Sequence, residues 1–338
     1  MKLTKSLLIC LLAALPCAAQ EAGTLRFHPD GTFKILQVTD THYKTGKSAS
    51  RAAVENITSA LDAEQPDLVI FTGDQVYADG VAEALRALTA PIVERGVPFA
   101  FVFGNHDHQF DMPLPESYDL MRSIPGCLAP DRGNIPSPDY TLEIRSAADS
   151  SRVASVLYLL DSHEGSYIKN TGKYAWLTTP QIVWYKANST KYTEQNDGKP
   201  IPSLMFFHIP IPEMEYAWSQ TDSYIAGTHG EDICSPKMNS GMFTAIKEQG
   251  DVFGVFFGHD HDNDYVTTYW NILLAYGRYS GGKTVYNHLG KPGVRVITLR
   301  EGERALSTAV RLTDGTILDP VDYPASFAAK RKSKKKKG

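Results

Sequence analysis

The 338-residue chain is poor in cysteine and in long apolar runs. Its four cysteines are too few for the disulfide-rich scaffold of a small secreted domain. Hydrophobic residues make up 42% and charged residues 21%, a globular composition that excludes disordered, collagenous and multi-span membrane proteins. The length and composition therefore favour one large domain with a sizeable core.

An apolar run from Leu7 to Ala14 follows two lysines near the N-terminus and precedes a group of small residues. The run is shorter than a membrane-spanning helix requires, so it predicts a signal peptide over residues 1–19, cleaved after Ala19. The alternative is a lipoprotein anchored at Cys17, which the preceding Pro16 disfavours. The mature protein is accordingly expected in the periplasm or outside the cell.

Cleavage of this segment would remove two of the four cysteines and leave Cys127 and Cys234. In an oxidising compartment two thiols can pair, which makes a Cys127–Cys234 disulfide a hypothesis to test. The alternative is two separate buried thiols, because the sequence does not determine the distance between their Cα atoms.

Basic residues are scarce outside the C-terminal tail. The chain carries a net charge of −4, and without the two N-terminal lysines and the seven Lys and Arg residues of the tail the remainder carries −13. Such an acidic body argues against a nucleic-acid-binding surface. The tail at 330–338 is predicted to be a disordered, solvated end, with contact to polyanions or a membrane surface as the alternative.

Short apolar runs alternate with longer segments of helical periodicity, a pattern typical of α/β layers. The predicted strands are Phe33–Val38, Leu68–Phe71, Phe99–Phe103, Val153–Leu160, Leu204–Phe207, Val252–Phe257, Asn271–Ala275, Val294–Leu299 and Ala305–Leu312. The predicted helices are Ala49–Ala63, Ala82–Glu94, Gln181–Lys191 and Ser240–Glu248. Segments 112–138 and 210–237 are rich in Pro, Gly and Ser and are predicted to be long surface loops. The domain is expected to span residues 20–329 without an internal linker.

Asp, Asn or His lies just beyond five of these apolar runs, in the segments ILQVTDTH, VIFTGDQVY, FVFGNHDH, FFHIP and FFGHDH. In open α/β sheets the loops beyond the carboxyl ends of the strands form one crevice, so these side chains are predicted to converge. Each motif alone is short and weak, whereas the ordered set indicates a metal site. The predicted ligands are Asp40, His42, Asp74, Asn105, His208, His259 and His261.

Mixed carboxylate and imidazole ligands suit Zn, Mn, Fe or Co. Asp74 is the natural bridge between two ions spaced about 3.5 to 4 Å apart, as in two-metal hydrolases. We assign Asp40, His42 and His261 to the first ion, and Asn105, His208 and His259 to the second. Such a pair activates a bridging hydroxide and leaves a net positive pocket that attracts a phosphate oxyanion.

The order of these motifs, from Phe33 to about Val266, resembles that of the calcineurin-like metallophosphoesterase superfamily. The segments GKYAWLTTPQIVWY, FFHIPIPE, NSG, GHDHDND and LAYGR further resemble its purple acid phosphatase-related branch. The resemblance implies an α/β fold, a four-layer sandwich of two mixed β-sheets flanked by helices. It also implies hydrolysis of phosphate esters with two divalent or mixed-valence transition-metal ions, Fe, Mn or Zn.

In this family the histidine after the metal-binding Asn faces the phosphate, which makes His106 the predicted acid or electrostatic stabiliser, with Asp107 orienting it. The alternative is a structural His106 that bonds to Asp107. Substrate contacts are predicted for Asn105, His106, Tyr77 and Arg278, although Arg278 is equally an ion-pair candidate.

The sequence departs from the purple acid phosphatase pattern at one place. Those enzymes have Gly where this chain has His42, and a ferric-ligating Tyr at the position of Tyr77. If His42 completes the first ligand shell, Tyr77 is an aromatic wall of the pocket or a packing residue, and the iron chemistry of the purple enzymes is in doubt.

The leading hypothesis is therefore a secreted phosphomonoesterase in which metal-activated hydroxide attacks phosphorus and His106 assists the leaving oxygen. The alternatives are a phosphodiesterase and a noncatalytic metal-binding or polyanion-binding protein.

Overall fold

The computed structural model describes residues 24–220 and 224–328. The predicted signal peptide and the basic tail lie outside these residues. Within the described ranges, no helix has the length and apolar character needed to cross a membrane.

Two mixed β-sheets form the centre of the fold. The strands are β1 (Leu25–Arg26), β2 (Thr32–Val38), β3 (Leu68–Thr72), β4 (Phe99–Val102), β5 (Tyr140–Arg145), β6 (Val153–Leu159), β7 (Ser203–Phe206), β8 (Val252–Phe257), β9 (Val266–Tyr269), β10 (Ile272–Tyr276), β11 (Gly293–Arg300), β12 (Leu306–Leu312) and β13 (Ile317–Tyr323). One sheet has the order β13-β12-β11-β2-β3-β4, and the other has the order β1-β5-β6-β7-β8-β10-β9. In each sheet the strands that lead to the predicted ligands, β2-β3-β4 and β7-β8, run parallel.

Helices cover both sheets. They are α1 (Arg51–Glu64), α2 (Val81–Glu94), α3 (Leu114–Ser123), α4 (Thr179–Gln195), α5 (Glu213–Ser219) and α6 (Met242–Gln249). In α1 the buried residues Ala53, Ile57, Ala60 and Leu61 recur at helical spacing, so one face packs into the core. The helix ends where Gln65 takes a left-handed conformation before Pro66.

The alternation of side chains along β6 shows how the layers stack. Leu157 and Leu159 belong to the core shared with the six-stranded sheet. Val156 and Tyr158 point the other way, into a second core with Tyr185 of α4. The result is a helix, sheet, sheet, helix sandwich, which confirms the predicted fold class.

The two segments predicted as long loops each contain a helix. In the first, α3 begins directly after Pro113 and buries Tyr118 and Met121, which are three residues apart on one face. In the second, α5 buries Met214 and Ala217 at the same spacing. Prolines and small residues mark helix starts here as well as turns, which is why the composition of these segments was misleading.

The disulfide hypothesis is wrong, because both Cys127 and Cys234 are free. Cys127 pairs through its backbone with Phe99 of β4, in the six-stranded sheet. The backbone N–H of Cys234 instead bonds to Asp260, just beyond β8 of the seven-stranded sheet. Burial raises the pKa of the Cys127 thiol to about 11, which makes it an inert packing residue.

Candidate metal centre

The predicted ligands stand on turns that leave the strands abruptly. Asp40, His42, Asp74 and His259 all have positive φ, at 52°, 39°, 53° and 80°. This left-handed conformation is unfavourable for residues with a side chain, and such strain clusters at functional sites. The turns are joined to one another, since the backbone N–H of His42 donates to the carbonyl of Asp74 at 3.0 Å.

Two glycines allow these turns to approach closely. A Cβ on Gly104 would overlap Asp74 Oδ1, and a Cβ on Gly73 would overlap the His208 ring. Gly73 also has a φ of 95°, which other residues rarely adopt. The Gly-Asp and Gly-Asn-His motifs therefore reflect a packing requirement next to the site.

The first group of donors comprises Asp40, His42, Asp74 and His261, whose ligand atoms lie within 4.8 Å of one another. All four side chains are buried. The Nε2 atoms of His42 and His261 face each other at 2.9 Å, and Asp40 Oδ1 lies 3.6 Å from His261 Nε2. Asp40 Oδ1 is buried without a hydrogen-bond partner, a costly arrangement that a bound cation would relieve.

The second group comprises Asp74, His208 and His259, again with ligand atoms within 4.8 Å of one another. Nε2 of His208 lies 3.3 Å from Asp74 Oδ2 and 3.3 Å from Nδ1 of His259. The side-chain oxygen of Asn105 is buried and has no hydrogen-bond partner. Asp74 is thus common to both groups, as a bridging carboxylate requires.

Backbone carbonyls orient two of the rings. Nδ1 of His208 lies 2.8 Å from the carbonyl oxygen of Thr72, and Nδ1 of His261 lies 3.0 Å from that of Tyr286. A proton on each Nδ1 leaves Nε2 with its lone pair directed at the donor groups. The Tyr286 ring also stacks on His261, with 4.4 Å between the ring centroids.

Burial keeps three imidazoles neutral, which is the form that binds metal ions. It lowers the pKa of His42 and of His259 well below the ordinary histidine value, and it lowers the pKa of His261 to about 4.

The carboxylates of Asp40 and Asp74 favour positive charge at the site. Burial raises the pKa of Asp40 to about 7, against the opposing effect of His208 and with the help of Asp74. Burial lowers the pKa of His208, but Asp74 and Asp40 outweigh it and raise that pKa to about 10. The cluster therefore favours a compensating cation, and a divalent ion fits in place of the His208 proton.

His106 and Tyr77 lie together beside the first group, and both are partly exposed. Their rings meet edge to face at 4.8 Å, and each also contacts the His42 ring. The backbone N–H of His106 donates to Asp74 Oδ1 at 2.9 Å. Tyr77 therefore forms an aromatic wall next to His42 and His106.

The prediction that Asp107 orients His106 is wrong. The Asp107 carboxylate accepts backbone N–H groups from Asp74, Gln75, Val76 and Gly104 at 2.8–3.1 Å. The His106 ring is instead hydrogen-bonded through Nδ1 to Gln109 Oε1 at 2.8 Å. Asp107 therefore holds the turn at Asp74 against the start of the loop that follows β4.

The predicted substrate contact of Arg278 is also wrong. Its guanidinium is 3% exposed on a side-chain basis and pairs with Asp264 at 2.7 Å. Its remaining N–H groups donate to the carbonyls of Leu289 and Lys291.

Sequence reasoning missed Tyr286, Gln109 and Tyr174 at this site. The Tyr174 ring packs edge to face on His259, with centroids 4.5 Å apart. These residues sit on irregular loops that carry no periodic pattern, and only their contacts in space identify them.

The fold and the donor groups are those of the metallophosphoesterase class, and the chain belongs to the calcineurin-like phosphoesterase family, whose model matches residues 33–263. Its relatives place it in the purple acid phosphatase-like branch. It is 34% identical to "Probable inactive purple acid phosphatase 14" of Arabidopsis thaliana, over 87% of this chain and 82% of that protein. It is 31% identical to "Phosphatase DCR2" of Saccharomyces cerevisiae, over 76% of this chain and 49% of that protein.

Solved structures show the same fold. The purple acid phosphatase PPD1 from yellow lupin (Lupinus luteus) seeds superposes with a TM-score of 0.55, covering 86% of this chain and 53% of that chain. At 13% sequence identity this similarity is evidence for the fold alone.

Proposed function

We propose that this protein is a dinuclear metal-dependent phosphoesterase whose preferred substrates are phosphomonoesters. The observation that carries the proposal is the sharing of Asp74 by two groups of buried donors. A single ion would need one such group, whereas a shared carboxylate suits a pair. Asn105, with its unpartnered side-chain oxygen, completes the second group.

These residues would hold two ions, which when bound would supply Lewis-acid stabilisation of the phosphoryl group and activation of water. Fe, Mn and Zn all accept this mixture of carboxylate, amide and imidazole donors. In the proposal His106 holds a proton for the leaving oxygen, and Gln109 orients its ring through Nδ1. Asn105 and Tyr77 line the phosphate position next to it.

A second candidate is a metal-binding protein without catalysis. The name of the Arabidopsis relative, "Probable inactive purple acid phosphatase 14", favours it. The complete donor set of this chain supports the enzyme instead, since all seven proposed ligand positions and His106 carry competent side chains.

The test is purification without chelator, elemental analysis, and assays against phosphomonoesters and phosphodiesters. Two transition-metal equivalents with hydrolysis of monoesters support the enzyme. Two equivalents without hydrolysis of any ester, after reloading with Fe, Mn and Zn in turn, support the noncatalytic alternative.

Export of the mature protein is part of the proposal, resting on the sequence pattern of residues 1–19. Amino-terminal sequencing of the protein recovered from its native compartment should begin at Gln20. A contact of the basic tail with polyanions or a membrane surface is tested by binding of a tail-truncated variant to anionic vesicles and to heparin.

A further inference from the structure

Two lysines stand over tyrosines that pack against the two donor groups. Nζ of Lys44 lies 4.8 Å from the ring centroid of Tyr77, whose ring contacts His42 of the first group at 5.1 Å. Nζ of Lys173 lies 4.8 Å from the ring centroid of Tyr174, which packs on His259 of the second group. The same stack of ammonium, tyrosine and histidine therefore occurs on both donor groups.

Neither ammonium forms an ion pair with a carboxylate in the described part of the chain, whereas four other lysines there do. Those four are Lys34, Lys186, Lys237 and Lys291. In a strongly acidic body, a lysine without a carboxylate partner next to an anion-binding centre is available to a ligand. Contact with a tyrosine ring is compatible with that, because an ammonium carries three N–H donors, and the hydrogen bond of Lys173 to the Tyr174 side chain leaves two of them for an anion.

The backbone holds both lysines in place. Ser50 Oγ bonds to the N–H and to the carbonyl of Lys44, each at 2.8 Å. The carbonyl of Lys173 accepts the N–H of Ser166 at 2.9 Å. Hydrogen bonds thus fix the backbone of both lysines.

We propose that Lys44 and Lys173 bind a second anionic group of the substrate, so that the preferred substrate is a phosphate ester carrying a further phosphate. This inference rests on the proposed function for the position of the scissile phosphate, between the two donor groups. From there each lysine lies one tyrosine ring beyond a histidine, Lys44 beyond Tyr77 and His42, and Lys173 beyond Tyr174 and His259. They therefore suit an anion attached to the leaving group better than the reacting phosphate itself.

The experiment compares glucose 6-phosphate with glucose 1,6-bisphosphate on the metal-loaded enzyme, in wild type and in Lys44→Met, Lys173→Met and the double variant. Wild type should prefer the bisphosphate in kcat/KM. Each single variant should reduce that preference about two- to fivefold, the range for an exposed ion pair, while kcat/KM for the monophosphate stays unchanged. Lys→Arg variants should retain the preference, and 1 M salt should remove it.

Lys47→Met and Lys169→Met are matched controls, because these exposed lysines lie on the same two loops. They should leave both substrates unaffected. Absence of a wild-type preference for the bisphosphate, or an equal loss on both substrates in the variants, overturns the proposal.

If no ester is hydrolysed, the proposed function fails separately from this inference. Calorimetric binding of the two sugar phosphates to the metal-loaded protein then measures the same preference. Tighter binding of the bisphosphate that Lys44→Met and Lys173→Met weaken supports the lysine site, and equal affinities overturn it.

Discussion

The Asp107 carboxylate accepts the backbone N–H of Asp74 at 2.9 Å, which ties the proposed bridging ligand to the loop that follows β4. Three further backbone N–H groups bond to the same carboxylate. The negative charge of Asp107 is thus used to build the turn on which Asp74 stands. This arrangement separates residues that build the site from residues that face the substrate.

Asp107→Ala leaves these four buried donors without their acceptor. Because each unsatisfied buried N–H costs about 1–3 kcal/mol, we expect a loss of at least 3 kcal/mol in the free energy of unfolding. Metal affinity should fall with it, since Asp74 loses its support. Urea denaturation of the metal-free protein and metal titration measure the two effects. A variant of unchanged stability that loses only turnover would return Asp107 to a catalytic role.

Asp74→Asn and His106→Ala should separate metal binding from catalysis. Removing the shared carboxylate should lower metal content and activity together, whereas His106→Ala should keep the metal and lower turnover by about 10²- to 10⁴-fold. The loss in His106→Ala should be larger for an alkyl phosphate than for 4-nitrophenyl phosphate, whose leaving group departs without a proton. Equal losses on both substrates would indicate electrostatic positioning, and loss of metal would place His106 among the ligands.

Tyr77 packs as a wall against His42 and His106. Since His42 occupies a ligand position in the first group, we expect no tyrosinate-to-iron charge-transfer band in the isolated protein or in the iron-loaded protein. Tyr77→Phe should therefore keep both its metal content and its visible spectrum. A purple protein that loses its colour in Tyr77→Phe would make the tyrosine a ligand.

Arg278→Met should act on stability. It leaves the Asp264 carboxylate buried without its cation, a change that destabilises proteins by about 3–5 kcal/mol. The KM for a phosphate ester, measured below the unfolding transition, should be unchanged, because the guanidinium is fully used inside the protein. The double variant Arg278→Met with Asp264→Asn should recover part of the stability. A large rise in KM at full stability would contradict this assignment.

His261 gives the metal-free protein an acid-sensitive stability. Burial lowers its pKa to about 4 in the folded state, against about 6.5 when unfolded, so unfolding takes up a proton in that interval. This contribution should reduce the stability as the pH falls from about 6.5 to about 4. Denaturation of chelator-treated protein at several pH values should show a flatter acid limb in His261→Gln. An identical pH dependence in the variant and the wild type would rule out this contribution.

Much of the fold could be predicted from the sequence because its central strands are nearly continuous apolar runs. β3 (Leu68–Thr72) and β8 (Val252–Phe257) are buried along their whole length, so their composition alone marks them. β5 was missed because its buried residues Tyr140, Leu142 and Ile144 alternate with polar ones in a segment without an apolar run. α3 and α5 were missed because their short apolar faces lie among prolines.

The proposed ligands could be named from the sequence because parallel strands place their carboxyl ends at one edge, whatever the sequence distance between them. Six of them are found in the two donor groups of the structure. Residue type and position after a strand were enough for this, since the chemistry of Asp, Asn and His limits the choice.

The partners of Asp107 and Arg278 were decided only by the tertiary structure. Asp107 lies two residues after the proposed ligand Asn105, and Arg278 belongs to the LAYGR segment. Both side chains are buried inside the protein. The reason is that a buried backbone N–H or carboxylate must find a partner, and which groups need one is known only after the chain has packed. The N–H groups of Asp74, Gln75 and Val76 lie 31 to 33 residues from Asp107, so only the folded chain brings them to its carboxylate.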